Sequence, residues 1–377
     1  MLAVFFFHCA CFFGTGNWHL NNDEKSIVAL VFIGWLDMWF MPLFFLLSGM
    51  GSRYSLVSRN NVQYLLERSK RILLPLYTVG LFLLLPIQAF FESYSHEGYR
   101  ESFLNFFPYY LKDWRFSFAW PGGLVNVPFP GHLWFLQYLF LVSLLALPLL
   151  RFLRSEKGLY LIDKLAGWCK RRSGIFFFLG PVLLVRIGLK SVFFGEYTWA
   201  AFLEYLLYFL IGYILTIDMR FTENLKKNGG ICLALGLICF MLEGFFTLVS
   251  GYNYPGGESF SLNFVLFETI MSIGRWSWIV FALSTGVKYL SFNNKALSYC
   301  NEAVLPFYIF HQTVILCIGW FVIRWNIGIL PKYIIIAITS FVLIMLLYEI
   351  LVRRFNIVRF FFGMRPKRSK PVKSIVH

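Results

Sequence analysis

The sequence predicts an all-α membrane protein with about ten transmembrane helices, and three observations carry that expectation. Of the 377 residues, 58% are hydrophobic and only 14% are charged, whereas an average soluble chain carries about a quarter charged residues. Ten apolar runs follow one another along the chain, most near the twenty or so residues that a bilayer core of about 30 Å requires. Lysine and arginine fall mainly in alternate connections between those runs, as orientation by positive charge requires. The net charge of +15 is thereby accounted for by membrane orientation, and nucleic acid is not an expected partner.

The first run, MLAVFFFHCACFFG, is apolar apart from His8. Its thirteen residues before Gly14 reach only about 20 Å as a helix, so the first helix reads as incomplete, with its true start expected upstream of Met1. A short re-entrant helix is the alternative. No positive region precedes the apolar stretch, and no cleavable signal is expected. Thr15, Asn17, Trp18, His19, Asn21 and Asn22 follow, polar residues with an aromatic anchor of the kind found at a bilayer surface.

The second span is read at 28–50 and a basic segment at 51–71, with the third span at about 72–91. Residues 92–130 form the longest loop, rich in Tyr, Trp, Ser, Gly and Pro. The fourth span, 133–150, opens with GHLWFLQYLF, and a second basic segment occupies 151–172. The fifth to eighth spans lie at about 173–193, 200–217, 230–250 and 264–284, with the loop GYNYPGGESFSLN before the eighth. The ninth and tenth lie at about 303–323 and 332–350. On this reading 25 of the 34 Lys and Arg residues lie on one side, six lie on the other, and Arg186, Lys190 and Arg275 lie within the membrane. The basic side is expected to be cytoplasmic. Residues 1–350 then form one membrane domain and 351–377 a basic cytoplasmic tail. The seven cysteines contain no C-x-x-C pair and read as small buried apolar residues.

Chemistry is carried by few residues. His8 is an ionisable group in an otherwise apolar helix, which marks either a reactive site or a neutral histidine bonded across helices. Arg68 and Arg71 stand three apart where the third span meets the basic side. They present either a paired phosphate-binding surface or simple positive anchors. His132, after Gly131 and beside Trp134, fits contact with a sugar hydroxyl or a place in an interfacial belt. His19, beside Trp18, reads the same way, and His311 falls early in the ninth span. No two histidines share a zinc-like spacing, and no metal site is expected. Asp37, Glu204, Glu243, Glu268, Arg186, Lys190 and Arg275 are intramembrane charges. A lone charge at mid-bilayer costs about 2.5–3.5 kcal/mol even on the mildest scale, so pairing or an aqueous path is required. Glu268 with Arg275 or with Arg186 is one such pairing, and Asp37 is a candidate to orient His8.

His8, Trp18, His19, Arg68, Arg71, His132, Trp134 and His311 lie in segments that resemble acyltransferase family 3, a family of integral membrane acyltransferases, and within it the glucans biosynthesis protein C branch. The segments are FFFHCACFFGTGNWHLNN (5–22), FMPLFFLLSGMGSRYSL (40–56), RSKRILLPL (68–76), GHLWFLQYLF (131–140), LPFYIFHQTVI (305–315) and FFGMRPK (361–367). His8 and the Arg68-x-x-Arg71 pair match family positions linked to activity. The family also places a basic residue eleven positions before its buried histidine, which here falls before Met1.

The resemblance implies an enzyme of a bacterial inner membrane, with its C-terminus cytoplasmic. It implies an acyl coenzyme A donor on the cytoplasmic side, no bound cofactor, and a carbohydrate acceptor on the periplasmic side. A glucan-type member would move succinyl; acetyl is the other expected group. In that reading His8 is the general base and Arg68 and Arg71 hold the donor. Arg275 or Arg186 faces the developing oxyanion, while Trp18, His19, His132 and Trp134, with the 92–130 loop, shape the acceptor site. A secondary transporter and a non-catalytic partner in glycan assembly are the alternatives. A transporter is expected to show inverted repeats with matching broken helices, and none are visible in the sequence.

Overall fold

The computed structural model describes residues 1–16, 18–112, 131–193, 198–248 and 260–367. Asn17, residues 113–130 of the long aromatic loop, residues 194–197, the segment 249–259 and the tail beyond 367 lie outside the described residues. Every regular element among those described is helical. In chain order they are α1 (Leu2–Cys11), α2 (Ile27–Asp37), α3 (Phe40–Val57), α4 (Asn61–His96), α5 (Phe103–Lys112), α6 (Gly131–Leu153) and α7 (Glu156–Trp168). Then come α8 (Arg172–Lys190), α9 (Trp199–Leu215), α10 (Met219–Leu248), α11 (Leu262–Tyr289), α12 (Lys295–Val322), α13 (Ile329–Val352) and α14 (Asn356–Phe361). Eight stretches among the described residues are long and apolar enough to span, with α2 and α3 forming one of them; α1 and α9 are shorter apolar helices. All ten runs expected from the sequence are therefore helical.

Helix ends depart from the expected boundaries because the caps lie in polar sequence beyond the bilayer. The third span begins at Asn61 rather than near Ile72, since Asn60 and Gln63 form a reciprocal capping box: Gln63 N donates to Asn60 Oδ1 at 2.9 Å and Asn60 N to Gln63 Oε1 at 3.2 Å. Arg68, Lys70 and Arg71 consequently sit two turns or more inside the helix instead of at its edge. Wide π-type turns follow at Ser69–Leu73 and again after Pro75, whose missing N–H disturbs the ladder. The segment 151–172, expected only as basic sequence, contains α7, started by Ser155, whose Oγ accepts from Gly158 N. The aromatic loop likewise yields α5, seated on α4 through Phe90, Phe103 and Phe106.

The bundle is organised on α12, the most enclosed of the long spans. α1 packs against α2, α12 and α13, which brings the first and last spans together. The span at 27–57 is broken near Trp39, and the carbonyl of Met38 at the break accepts from Arg275 Nε at 2.7 Å. A backbone acceptor exposed by a break inside a membrane needs such a partner. Four of the cysteines are buried and Cys11 and Cys317 partly so, but Cys300 is exposed on the polar first turns of α12. That one departs from the expectation of buried thiols.

α3 and α9 cross with their backbones in contact. A Cβ on Gly49 would overlap the carbonyl of Phe209, and one on Gly212 would overlap the carbonyl of Leu46. Small residues permit this approach, and in lipid the resulting van der Waals packing drives helix association. Gly49→Val and Gly212→Val are each expected to cost about 1–3 kcal/mol by overpacking. Gly51→Val, with open space around it, is the control. The check is thermal unfolding in detergent: the two crossing variants should melt several degrees lower, and the control should melt as the parent does.

Candidate functional site

One cavity of about 1180 Å³ reaches from the His8 end of the bundle to the basic end. His8, Trp18, His19, His132, Trp134, Asp37, Arg275, Arg68 and Arg71, the residues singled out from the sequence, all line it. Its wall has three polar parts.

At one end the histidines converge. His311 Nδ1 lies 2.6 Å from the carbonyl of Tyr308, which can only accept, so the ring proton of neutral His311 is on Nδ1 and Nε2 carries the lone pair. That Nε2 is 3.1 Å from His8 Nδ1, and His8 Nδ1 is also 3.0 Å from the carbonyl of Val4. With two acceptors facing it, His8 Nδ1 bears the proton and its lone pair is at Nε2. The network thereby assigns the tautomer a base needs. The indole of Trp18 stacks beside the His8 ring, with centroids 6.1 Å apart.

His132 is buried, not interfacial. Its Nε2 donates toward the carbonyls of Tyr308 and Ile309, both at 3.2 Å, and its own carbonyl accepts from the Tyr308 hydroxyl. Its Nδ1 is therefore an acceptor, and the Gln88 amide donates to it at 3.1 Å and to Thr313 Oγ1 at 2.7 Å. Gln88 Oε1 accepts from Gln312 Nε2 at 3.3 Å, and that amide also reaches His19 Nε2 at 2.8 Å. His19 Nδ1 then lies 2.5 Å from Glu92 Oε2. The belt reading of His132 fails because α12 supplies carbonyls for its ring. Trp134 stands at the start of α6 between Tyr138 and Tyr205.

The middle of the cavity holds a charge cluster. Arg186 Nη2 is 2.6 Å from Glu268 and its Nη1 is 3.0 Å from Glu204. Arg275 Nη1 also pairs with Glu204, and Lys190 Nζ stands 3.9 Å from the same carboxylate. Of the pairings open in the sequence, Arg186 with Glu268 is the one formed, while Arg275 turns to Glu204. Asp37, at the end of α2, faces the same cavity.

The basic end holds Arg59, Arg68, Arg71 and Arg365 around one carboxylate, Glu67. Arg68 donates to Ser52 Oγ at 2.6 Å and lies over the Tyr64 ring, whose hydroxyl is 3.0 Å from the same Oγ. Glu67 is 2.8 Å from both Arg59 and Arg365. Among the described residues, no group of three or more His, Cys, Asp or Glu is placed to hold a metal ion.

Sequence reasoning missed Gln88, Glu92, Gln312, Glu67 and Arg365, and noted His311 without assigning it. Two signals were present: Gln88 and Glu92 stand one turn apart on a single face, and His311-Gln312-Thr313 interrupts an apolar span.

The fold and the cavity define a polytopic membrane protein in which one cavity joins a histidine cluster to an arginine cluster. Residues 1–349 match the acyltransferase domain of acyltransferase family 3, and the chain belongs to that family. Acyl transfer at a membrane is the general function this membership supports. No curated protein and no solved structure matches the chain.

Proposed function

We propose that the protein transfers an acyl group from acyl coenzyme A, taken at the basic face, to a carbohydrate hydroxyl presented at the histidine end. The basic face is then cytoplasmic, the membrane is a bacterial inner membrane, and the acceptor is periplasmic or on its way there. The observation that carries this reading is the single cavity joining His8 to the Arg68–Arg71 pair, since a shared chamber lets a donor and an acceptor from opposite faces meet.

In the transfer step, the acceptor oxygen attacks the thioester carbonyl carbon as its proton moves to His8 Nε2. The carbon–sulfur bond breaks, and the coenzyme A thiolate leaves, taking a proton back from the imidazolium. Arg275, held through Nε by Met38 and through Nη1 by Glu204, supplies positive charge for the oxyanion. Arg68 and Arg71 hold donor phosphates, while Trp18, Trp134 and His19 offer stacking and hydrogen-bonding surfaces to a sugar. A glucan acceptor and a succinyl or acetyl group are the specific pair we infer from the sequence resemblance.

The test is transfer by the purified protein from labelled acetyl or succinyl coenzyme A to glucan oligosaccharides. Labelled ester product supports the reading, and its absence with every acyl donor and acceptor overturns it. Within that assay Arg68→Ala should raise the donor KM about tenfold or more, because a charge-assisted hydrogen bond contributes about 1.5–3 kcal/mol. Arg68→Lys should recover only part of this, since a lysine lacks the planar fork. An unchanged donor KM in both would remove Arg68 from the donor site.

A further inference from the structure

Residues 356–367 lie beyond the matched family domain, yet they fold back onto the basic end of the cavity. α14 is held by Arg359, which pairs with Glu302 on α12 at 2.6 Å and donates from Nε to the carbonyl of Arg365 at 2.8 Å. Met364 N returns to the Arg359 carbonyl at 2.9 Å, and Lys367 N caps on Asn356 Oδ1 at 2.9 Å. Phe362 is buried against Phe310, with ring centroids 4.9 Å apart. Gly363 turns the chain at φ +64°, where a Cβ would lie 2.8 Å from the Cα and the carbonyl oxygen of Arg71. Only glycine allows the strap to lie this close to the donor arginines.

That strap delivers Arg365 into the cavity wall beside Arg59, Arg68 and Arg71. Arg365 is largely exposed, 2.8 Å from Glu67, and Glu67 is shared with Arg59. Arg59, Arg68 and Arg365 all lie close enough to act on the charge of Arg71. Four guanidinium groups around one carboxylate leave an excess of positive charge at an open mouth. Such a set matches a ligand with several phosphate groups better than it matches a closed structural network.

We propose that Arg365 is a donor-binding residue: the strap 356–367 completes the site for the phosphates of coenzyme A, with Glu67 holding Arg365 in place until the phosphates replace it. The inference rests on the acyl coenzyme A reading above and adds a donor-binding residue from beyond the matched residues 1–349.

The experiment measures binding of coenzyme A, and of pantetheine as the phosphate-free probe, to the full chain in detergent. Arg365→Ala should weaken coenzyme A binding about tenfold and leave pantetheine unchanged. Gly363→Val, which keeps Arg365 but lifts the strap from Arg71, should do the same. Glu67→Gln separates the donor role from a structural ion pair: released arginines should bind coenzyme A as tightly as the parent or more tightly. A purely structural pair predicts that Glu67→Gln weakens binding as Arg365→Ala does, and that result would overturn the inference. It also fails if both strap variants bind coenzyme A like the parent while Arg68→Ala does not; the donor reading would then survive alone. A parent protein that binds no coenzyme A removes the donor reading and this inference together.

Discussion

Replacement of His8 by alanine should abolish acyl transfer while leaving a folded, membrane-extracted protein. The side chain is half-buried at the cavity wall, and among the described residues its hydrogen-bond contacts are those of Nδ1 to Val4 and His311. Losing it orphans no buried charge, so the fold should survive. Loss of a general base typically costs about 10²–10⁴ in rate, and the proposed base is the one imidazole on its helix. His311→Gln tests the tautomer argument more finely. The amide can either donate to or accept from His8, so only the Val4 carbonyl still calls for a proton on Nδ1, and with the preference weakened kcat should fall while the donor KM holds. His311→Ala should do at least the same damage. Turnover of His8→Ala near the parent rate would remove it as the base. A His311 effect confined to donor KM would show that His311 acts on binding and not through His8.

The spans were legible because each is an apolar run bounded by polar sequence, and the expected sides of their connections rest on the asymmetry of lysine and arginine. His8 stood out for the same reason, as one imidazole among phenylalanines. Its partner did not. His311 is 303 residues away, and nothing local to either residue says that α1 and α12 touch. The same limit hid the charge pairing: Arg186, Glu204, Glu268 and Arg275 lie on α8, α9 and α11, and which helices adjoin is decided by packing such as the Gly49–Gly212 crossing of α3 and α9. Arg365 was obscured differently. Composition marks the chain end as basic, and a basic end reads as a tail until Gly363 is seen to turn it onto Arg71. Asn60 and Gln63 did carry a readable cap, and recognising it would have moved the start of the third span from near Ile72 to Asn61.

Glu204→Gln should be among the most damaging single substitutions to the fold itself. The buried cluster comprises Arg186, Lys190 and Arg275 with Glu204 and Glu268, three cations and two carboxylates, a net charge of +1. Glu204 is the carboxylate all three cations approach, and it is 1% exposed. Its neutral amide leaves Glu268 alone against three positive groups, a net +2 in a low-dielectric interior. Breaking a buried pair by removing one partner costs about 3–5 kcal/mol, enough to lower the unfolding temperature in detergent by about 10 °C or to prevent recovery of monodisperse protein. The charge argument can be separated from lost packing by a second change. Glu204→Gln combined with Arg275→Gln returns the cluster to +1, and the folded yield should recover in part. Transfer should not recover, because Arg275 is then missing from the oxyanion position proposed for it. A single variant as stable as the parent would show that water or counter-ions in the cavity already screen these charges. A double variant no better than the single one would place the cost in hydrogen-bond geometry and not in net charge.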